Sequence, residues 1–183
     1  MTIACQLFAR GGYADTSMNA IAEAAGVTKP VLYQHFGSKR ELFLELLIDS
    51  RYRLAETFDA ATSAATTARD QVHAGIAAYF GFMAQEEDRF ALLFGAGSRH
   101  DPDFDREIQA IESVIADMVV ELLGVSGRPL RVRETVAAAL VGLVEGSSRQ
   151  WLASADRLDP EVLAEEITAL VWFGLRGLDT SQN

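Results

Sequence analysis

Apolar residues recur three and four positions apart along almost the whole chain, in runs that open on Ser, Thr or Asp and often close on Gly. This pattern restricts the fold to packed α-helices. Alternating β-branched character between turn signals is scarce, so little is available to build a sheet. Ile3 to Ala9 reads as a short helix stopped by Gly11 and Gly12. Met18 to Ala25 is a second, capped by Thr16 or Ser17 and ended by Gly26 in a left-handed conformation. Thr28 caps a third, ending at Phe36, with Pro30 in its first turn. Ser38-Lys39-Arg40-Glu41 is a capping box opening a long helix to about Ala60. The Ala-, Thr- and Ser-rich stretch from Ala60 to Ala68 breaks the pattern.

Beyond the break, Val72, Ile76, Tyr79, Phe80 and Met83 mark a fifth helix, and Phe90 to Phe94 a short sixth. Asp101-Pro102-Asp103 is a helix start, with a capping Asp, Pro at the first helical position and acids where the helix dipole favours them. The helix it opens runs through Ile108, Ile115, Met118 and Leu122. Arg131 to Trp151 forms the eighth, and Asp159-Pro160-Glu161 opens the ninth. The expected architecture is all-α, about nine helices, without an internal repeat, ending in a frayed polar tail.

At 183 residues the chain makes one ordinary domain or two small ones. A hydrophobic fraction of 49% with 23% charged residues excludes a disordered or low-complexity chain. The single cysteine, Cys5, excludes an internal disulfide framework and a Cys-rich zinc site; on its short apolar helix it is expected to be buried. No run approaches 18 apolar residues, and the first residues lack the basic leader of a secretory signal, so a cytoplasmic protein without membrane segments is expected.

The net charge of −10 argues against a non-specific polyanion binder, but it is unevenly placed. Residues 1–55 hold 6 Lys/Arg and 5 acids, net +1, which leaves 10 Lys/Arg against 21 acids, net −11, in the remainder. Within the less acidic part, two short helices joined by a glycine turn over residues 17–36 form a helix-turn-helix pattern. Val27, Leu32 and Phe36 suit its packed side, leaving Thr28, Lys29, Val31, Tyr33 and Gln34 for a DNA groove. Thr16, Ser17 and Lys39 sit at helix N-termini, which attract phosphate, and Tyr33 and His35 can donate to phosphate oxygens. Spacing alone leaves a helical hairpin of a bundle equally open, with Ser17, Thr28 and Ser38 serving only as caps.

The run LFARGGYADTSMNAIAEAAGVTKPVLYQHFGSKRELFLELL, from Leu7 to Leu47, carries L-F-x-x-x-G-Y, T-S-M-x-x-I-A, A-G-V, L-Y-x-H-F and S-K-x-x-L in order. It resembles the N-terminal domain of the TetR/AcrR family of bacterial transcriptional regulators. The resemblance implies an N-terminal three-helix helix-turn-helix DNA-binding domain, residues 1–50, and a C-terminal helical effector-binding and dimerisation domain, residues 51–183. It implies base or flanking-phosphate positions at Lys29, Pro30, Val31, Tyr33 and Gln34, with Thr28 and Met18 as further candidates. Backbone-contacting positions would be Thr16, Ser17, Tyr33, His35 and Lys39. Family members usually have a longer first helix behind a basic arm, and only a few residues precede Leu7 here; an absent arm would lower affinity.

The implied activity is that of a regulator, most commonly a repressor, controlled by a small effector. The last two long helices would pair with those of a second copy, so that the operator is a near-palindrome. The small and apolar residues Ala137, Gly142, Gly146, Val162, Ile167, Leu170 and Phe173 allow that pairing, or an intramolecular core. An apolar or aromatic effector would fit among Phe80, Met83, Phe90, Phe94, Phe104, Met118 and Trp151, with Arg99 and Glu145 as polar partners. Each apolar member at helical spacing is more often core than pocket, and Arg149, four residues on, could pair with Glu145. No catalytic motif, phosphate loop or metal-ligand spacing is present, so neither a cofactor nor a metal is expected. A protein-interaction module and a small helical enzyme remain as competing readings.

Overall fold

The computed structural model describes residues 1–94, 101–124 and 129–179. Every regular element among them is an α-helix: α1 (Thr2–Asp15), α2 (Met18–Ala24), α3 (Lys29–His35), α4 (Lys39–Ser63), α5 (Ala68–Gln85), α6 (Glu87–Phe94), α7 (Pro102–Gly124), α8 (Leu130–Ala153) and α9 (Pro160–Asp179). The glycine-rich run 95–98 and the tail 180–183 lie outside the described residues.

The sequence signals act as their chemistry requires. Ser17, not Thr16, caps α2, its hydroxyl accepting from the Ala20 N–H at 3.1 Å. At the other end of α2 the Val27 N–H donates to the Ala22 carbonyl and the Gly26 N–H to the Glu23 carbonyl, a Schellman closure that needs the positive φ of 67° at Gly26. Ser38 Oγ accepts from the Glu41 N–H at 3.0 Å, and the Glu41 carboxylate accepts in return from the Gly37 N–H at 2.8 Å, one residue before the usual partner. Asp101 and Asp159 cap α7 and α9 by accepting from the N–H groups of Asp103 and Glu161.

Three boundaries depart from the sequence reading by three residues or more. The helical backbone breaks at Gly12 (φ 75°, ψ 165°), where the stop was expected, but a further helical turn carries α1 on to Asp15. Two side chains hold this last turn: the adjacent Thr16 hydroxyl donates to the carbonyls of Leu7 and Gly12, and the Lys39 ammonium, distant in sequence, donates to those of Tyr13 and Ala14. α4 extends to Ser63, and the hydroxyls of Thr62 and Ser63 bond back to the carbonyls of Phe58 and Ala60. α6 begins at Glu87, where two acids sit in its first turn.

The chain forms two compact units. The first comprises residues 1–54 and 86–110, the second 55–85 and 111–183. In the first, α1 packs on α6, and Phe8, Leu42, Phe43, Leu46, Leu47, Leu93, Phe104 and Ile108 are buried. Its centre is an aromatic cluster: the Phe43 ring lies 5.0 Å from those of Phe8 and Tyr13 and 4.7 Å from that of Phe104. In the second, α5 packs on α9 and more lightly on α8. Phe58, Tyr79, Phe80, Met83, Ala137, Ala164 and Val171 are buried there. Trp151 closes the turn between α8 and α9, its indole N–H donating to the Leu158 carbonyl at 2.7 Å. No described helix is long and apolar enough to cross a membrane.

Candidate nucleic-acid interface

α3 is held to its unit mainly by one side chain. Leu32 is 8% exposed and Phe36, just past the helix, is half-buried. Thr28, Lys29, Pro30, Val31, Tyr33, Gln34 and His35 are all exposed. A seven-residue helix with a single buried anchor presents nearly its whole circumference outward, the shape a groove-reading element requires. Thr28 occupies the N-cap position without a side-chain cap hydrogen bond. Lys29 and Tyr33, one turn apart, lie together, with the ammonium 5.8 Å from the ring centroid. Val27 corrects the sequence reading. It is 39% exposed rather than packed, because the Schellman turn aligns its backbone and turns its side chain outward.

The flanking residues divide. Ser17 is exposed, and while its oxygen accepts from Ala20 its own proton remains for an outside acceptor. Thr16 and Met18 turn inward, at 7% and 6% exposure. Lys39 is half-buried, with its ammonium 4.5 Å over the Tyr13 ring, where it caps α1. Beside it, the Arg40 guanidinium pairs with Asp101 at 2.9 Å and with Asp103. These hydrogen bonds raise the Arg40 pKa and hold both carboxylates below their ordinary range. Sequence reasoning missed this cluster, since no local signal ties residue 40 to residues 101–103.

The residues read as effector contacts do not share one unit. Phe90 and Phe104 are buried in the first, and Phe104 is engaged by Phe43, Tyr13 and Arg40. Phe80, Met83 and Trp151 are buried in the second. Glu145, also in the second unit, is half-buried, and Arg149 approaches it to 3.8 Å as the i, i+4 spacing predicts. Arg99 and the side chains of Phe94 and Met118 lie outside the described residues. Cys5 is buried as expected, and desolvation pushes its thiol up to about 11.

Known proteins match both halves of the chain. Residues 1–46 fit the family model described as bacterial regulatory proteins, tetR family, and residues 68–174 that of the tetracyclin repressor-like C-terminal domain. The HTH-type transcriptional activator FasR of Mycolicibacterium smegmatis is 30% identical over 173 residues, 94% of this chain and 79% of that one. The crystal structure of a TetR-like transcriptional regulator from Rhodococcus sp. RHA1 superposes with a TM-score of 0.82 at 26% identity, covering 96% of this chain and 93% of that one. The regulator FadR of Bacillus subtilis, solved in complex with stearoyl-CoA, shares the fold at a TM-score of 0.76 and 17% identity, over 93% and 94% of the two chains. An exposed helix-turn-helix, a second all-helical unit and family matches over both make this chain a member of the TetR family of bacterial transcriptional regulators, a DNA-binding regulator and not an enzyme.

Proposed function

We propose that the chain is a homodimeric repressor whose affinity for a near-palindromic operator is lowered when a small apolar effector binds its C-terminal part. In this reading residues 1–50 bind DNA and residues 51–183 bind the effector and the second copy. The observation that carries it is α3, a short helix with one buried anchor, Leu32, and every other side chain exposed. Lys29, Pro30, Val31, Tyr33 and Gln34 face the bases, with Lys29 placed to read guanine and Val31 a thymine methyl. Ser17, Thr28, His35 and Lys39 contact phosphates. The inward-turned Thr16 and Met18 support the surface from beneath. α8 and α9 form the dimer interface, a role supported by the exposed apolar residues Leu170 and Phe173. Phe80, Met83 and Trp151 supply apolar surface for the effector, and Glu145 a polar one. Stearoyl-CoA is the ligand of FadR alone; it supports only the notion that a protein of this fold can bind a molecule that carries a long apolar chain.

The test is binding of a labelled duplex selected by the full chain from random sequences, measured across a salt series. Affinity falls steeply as salt rises, because phosphate contacts release counterions. Lys29→Ala changes the selected sequence, whereas Lys39→Ala weakens binding to all sequences alike. If both variants bind as the parent does, the surface is misassigned.

A further inference from the structure

Most cations of residues 1–54 are wholly or partly engaged within the chain. Residues 1–54 contain Arg10, Lys29, Lys39, Arg40, Arg51 and Arg53. The Lys39 ammonium directs two of its three N–H donors at the carbonyls of Tyr13 and Ala14, leaving one for a phosphate. Arg51 pairs with Glu107 at 2.9 Å and Arg53 with Asp49 at 3.3 Å. Arg40, in the first turn of α4 and next to Lys39, is held by two carboxylates from the start of α7. Its Nε and Nη2 both donate to Asp101 at 2.9 Å, and Nη2 also reaches Asp103. Asp103 in turn accepts from Arg106 at 2.8 Å, so two arginines and two aspartates sum to zero charge. The ring of Phe104 lies beneath the guanidinium at 5.6 Å and reaches Tyr13, the ring under Lys39, at 5.1 Å. The Arg40 cluster and the Lys39 site therefore share one aromatic support.

We propose that Asp101 and Asp103 set the DNA affinity of this regulator by holding Arg40 away from the phosphate backbone, so that the start of α7 acts as a brake on the start of α4. The cluster is exposed on the Arg40 side, with the arginine side chain 43% accessible, so the guanidinium can exchange between carboxylate and phosphate without unpacking the core. Both partners offer paired oxygens to the same planar fork, which makes the exchange chemically even. The proposal rests on the DNA surface described above.

The experiment is a double-variant cycle on the full chain, with two probes of about 30 base pairs, enough for half-sites about one helical turn apart. One is the duplex selected by the parent, the other a random-sequence duplex. Asp101→Asn with Asp103→Asn is expected to tighten both complexes by up to about fivefold at low salt, the scale of an exposed charge contact. The slope of log affinity against log salt steepens by about 0.9, one additional phosphate. Arg40→Gln in the parent removes no phosphate contact and leaves the salt slope unchanged, and in the Asn background it abolishes the gain. The proposal is overturned if the Asn variant binds no more tightly, if Arg40→Gln makes the parent's salt slope shallower, or if the gain survives without Arg40. It is also overturned if Asp105→Asn, which removes a charge on the same helix, matches the gain. Thermal midpoints within error of the parent show that the variants are folded. A Lys29→Ala chain that binds as the parent does sinks the surface itself, a failure separate from that of the brake.

Discussion

Gly12 adopts φ 75° and ψ 165°, a region essentially reserved for glycine. A Cβ at this site would meet nothing within 4 Å, so the constraint lies in the backbone and not in crowding. Gly12→Ala should destabilise the first unit by about 1–3 kcal/mol in a denaturant melt. A cost near zero would mean that the kink relaxes into a regular helix. Cys5 gives a second test at this scale. Its thiol is raised from 9.0 to about 11 because burial penalises the thiolate. Iodoacetamide at pH 8 should leave the native protein unlabelled and react once it is unfolded. The raised pKa also fixes the sign of the pH effect: its stabilising contribution is complete below pH 9 and is lost as pH rises through about 11.

At the scale of the element, α3 depends on Leu32. Leu32→Ala should cost about 2–5 kcal/mol and loosen α3, so that DNA binding fails while α5, α8 and α9 keep their protection from hydrogen exchange. Equal loss of protection in both units would show that α3 is not a separable element. The caps of α2, α4, α7 and α9 were legible in the sequence because each is a contact over two to four residues. The break at Gly12 was legible too, but the helical turn after it was not, since its partners come from Thr16 and Lys39. The side of α3 that packs was read correctly for Leu32 and wrongly for Val27, because a helical period does not extend through a Schellman turn.

At the scale of the whole molecule, α9 exposes Val162, Leu170 and Phe173, the last at 71%, and Leu130 and Val132 are exposed on α8. Burying such surface between two copies is favourable at roughly 25 cal/mol per Å². Phe173→Asp should leave the protomer folded but shift sedimentation toward monomer at micromolar concentration. It should also weaken the selected duplex far more than a single half-site. A variant that sediments and binds like the parent would place the interface elsewhere. The residues for an effector were the least legible, since an aromatic side chain at helical spacing reads the same in a core and in a cavity; Phe104 belongs to the first unit's aromatic cluster and Phe80 to the second unit.

The sequence by itself determined that this chain is helical, where most helices begin, and which short segment carries the family's DNA-reading motifs. Those properties reside in neighbouring residues, where a cap, a glycine or a 3.6-residue period acts locally. Only the tertiary structure decided that residues 86–110 join residues 1–54, and that Asp101 and Asp103 hold Arg40. Such pairings depend on where packing brings distant side chains, and no local spacing encodes them.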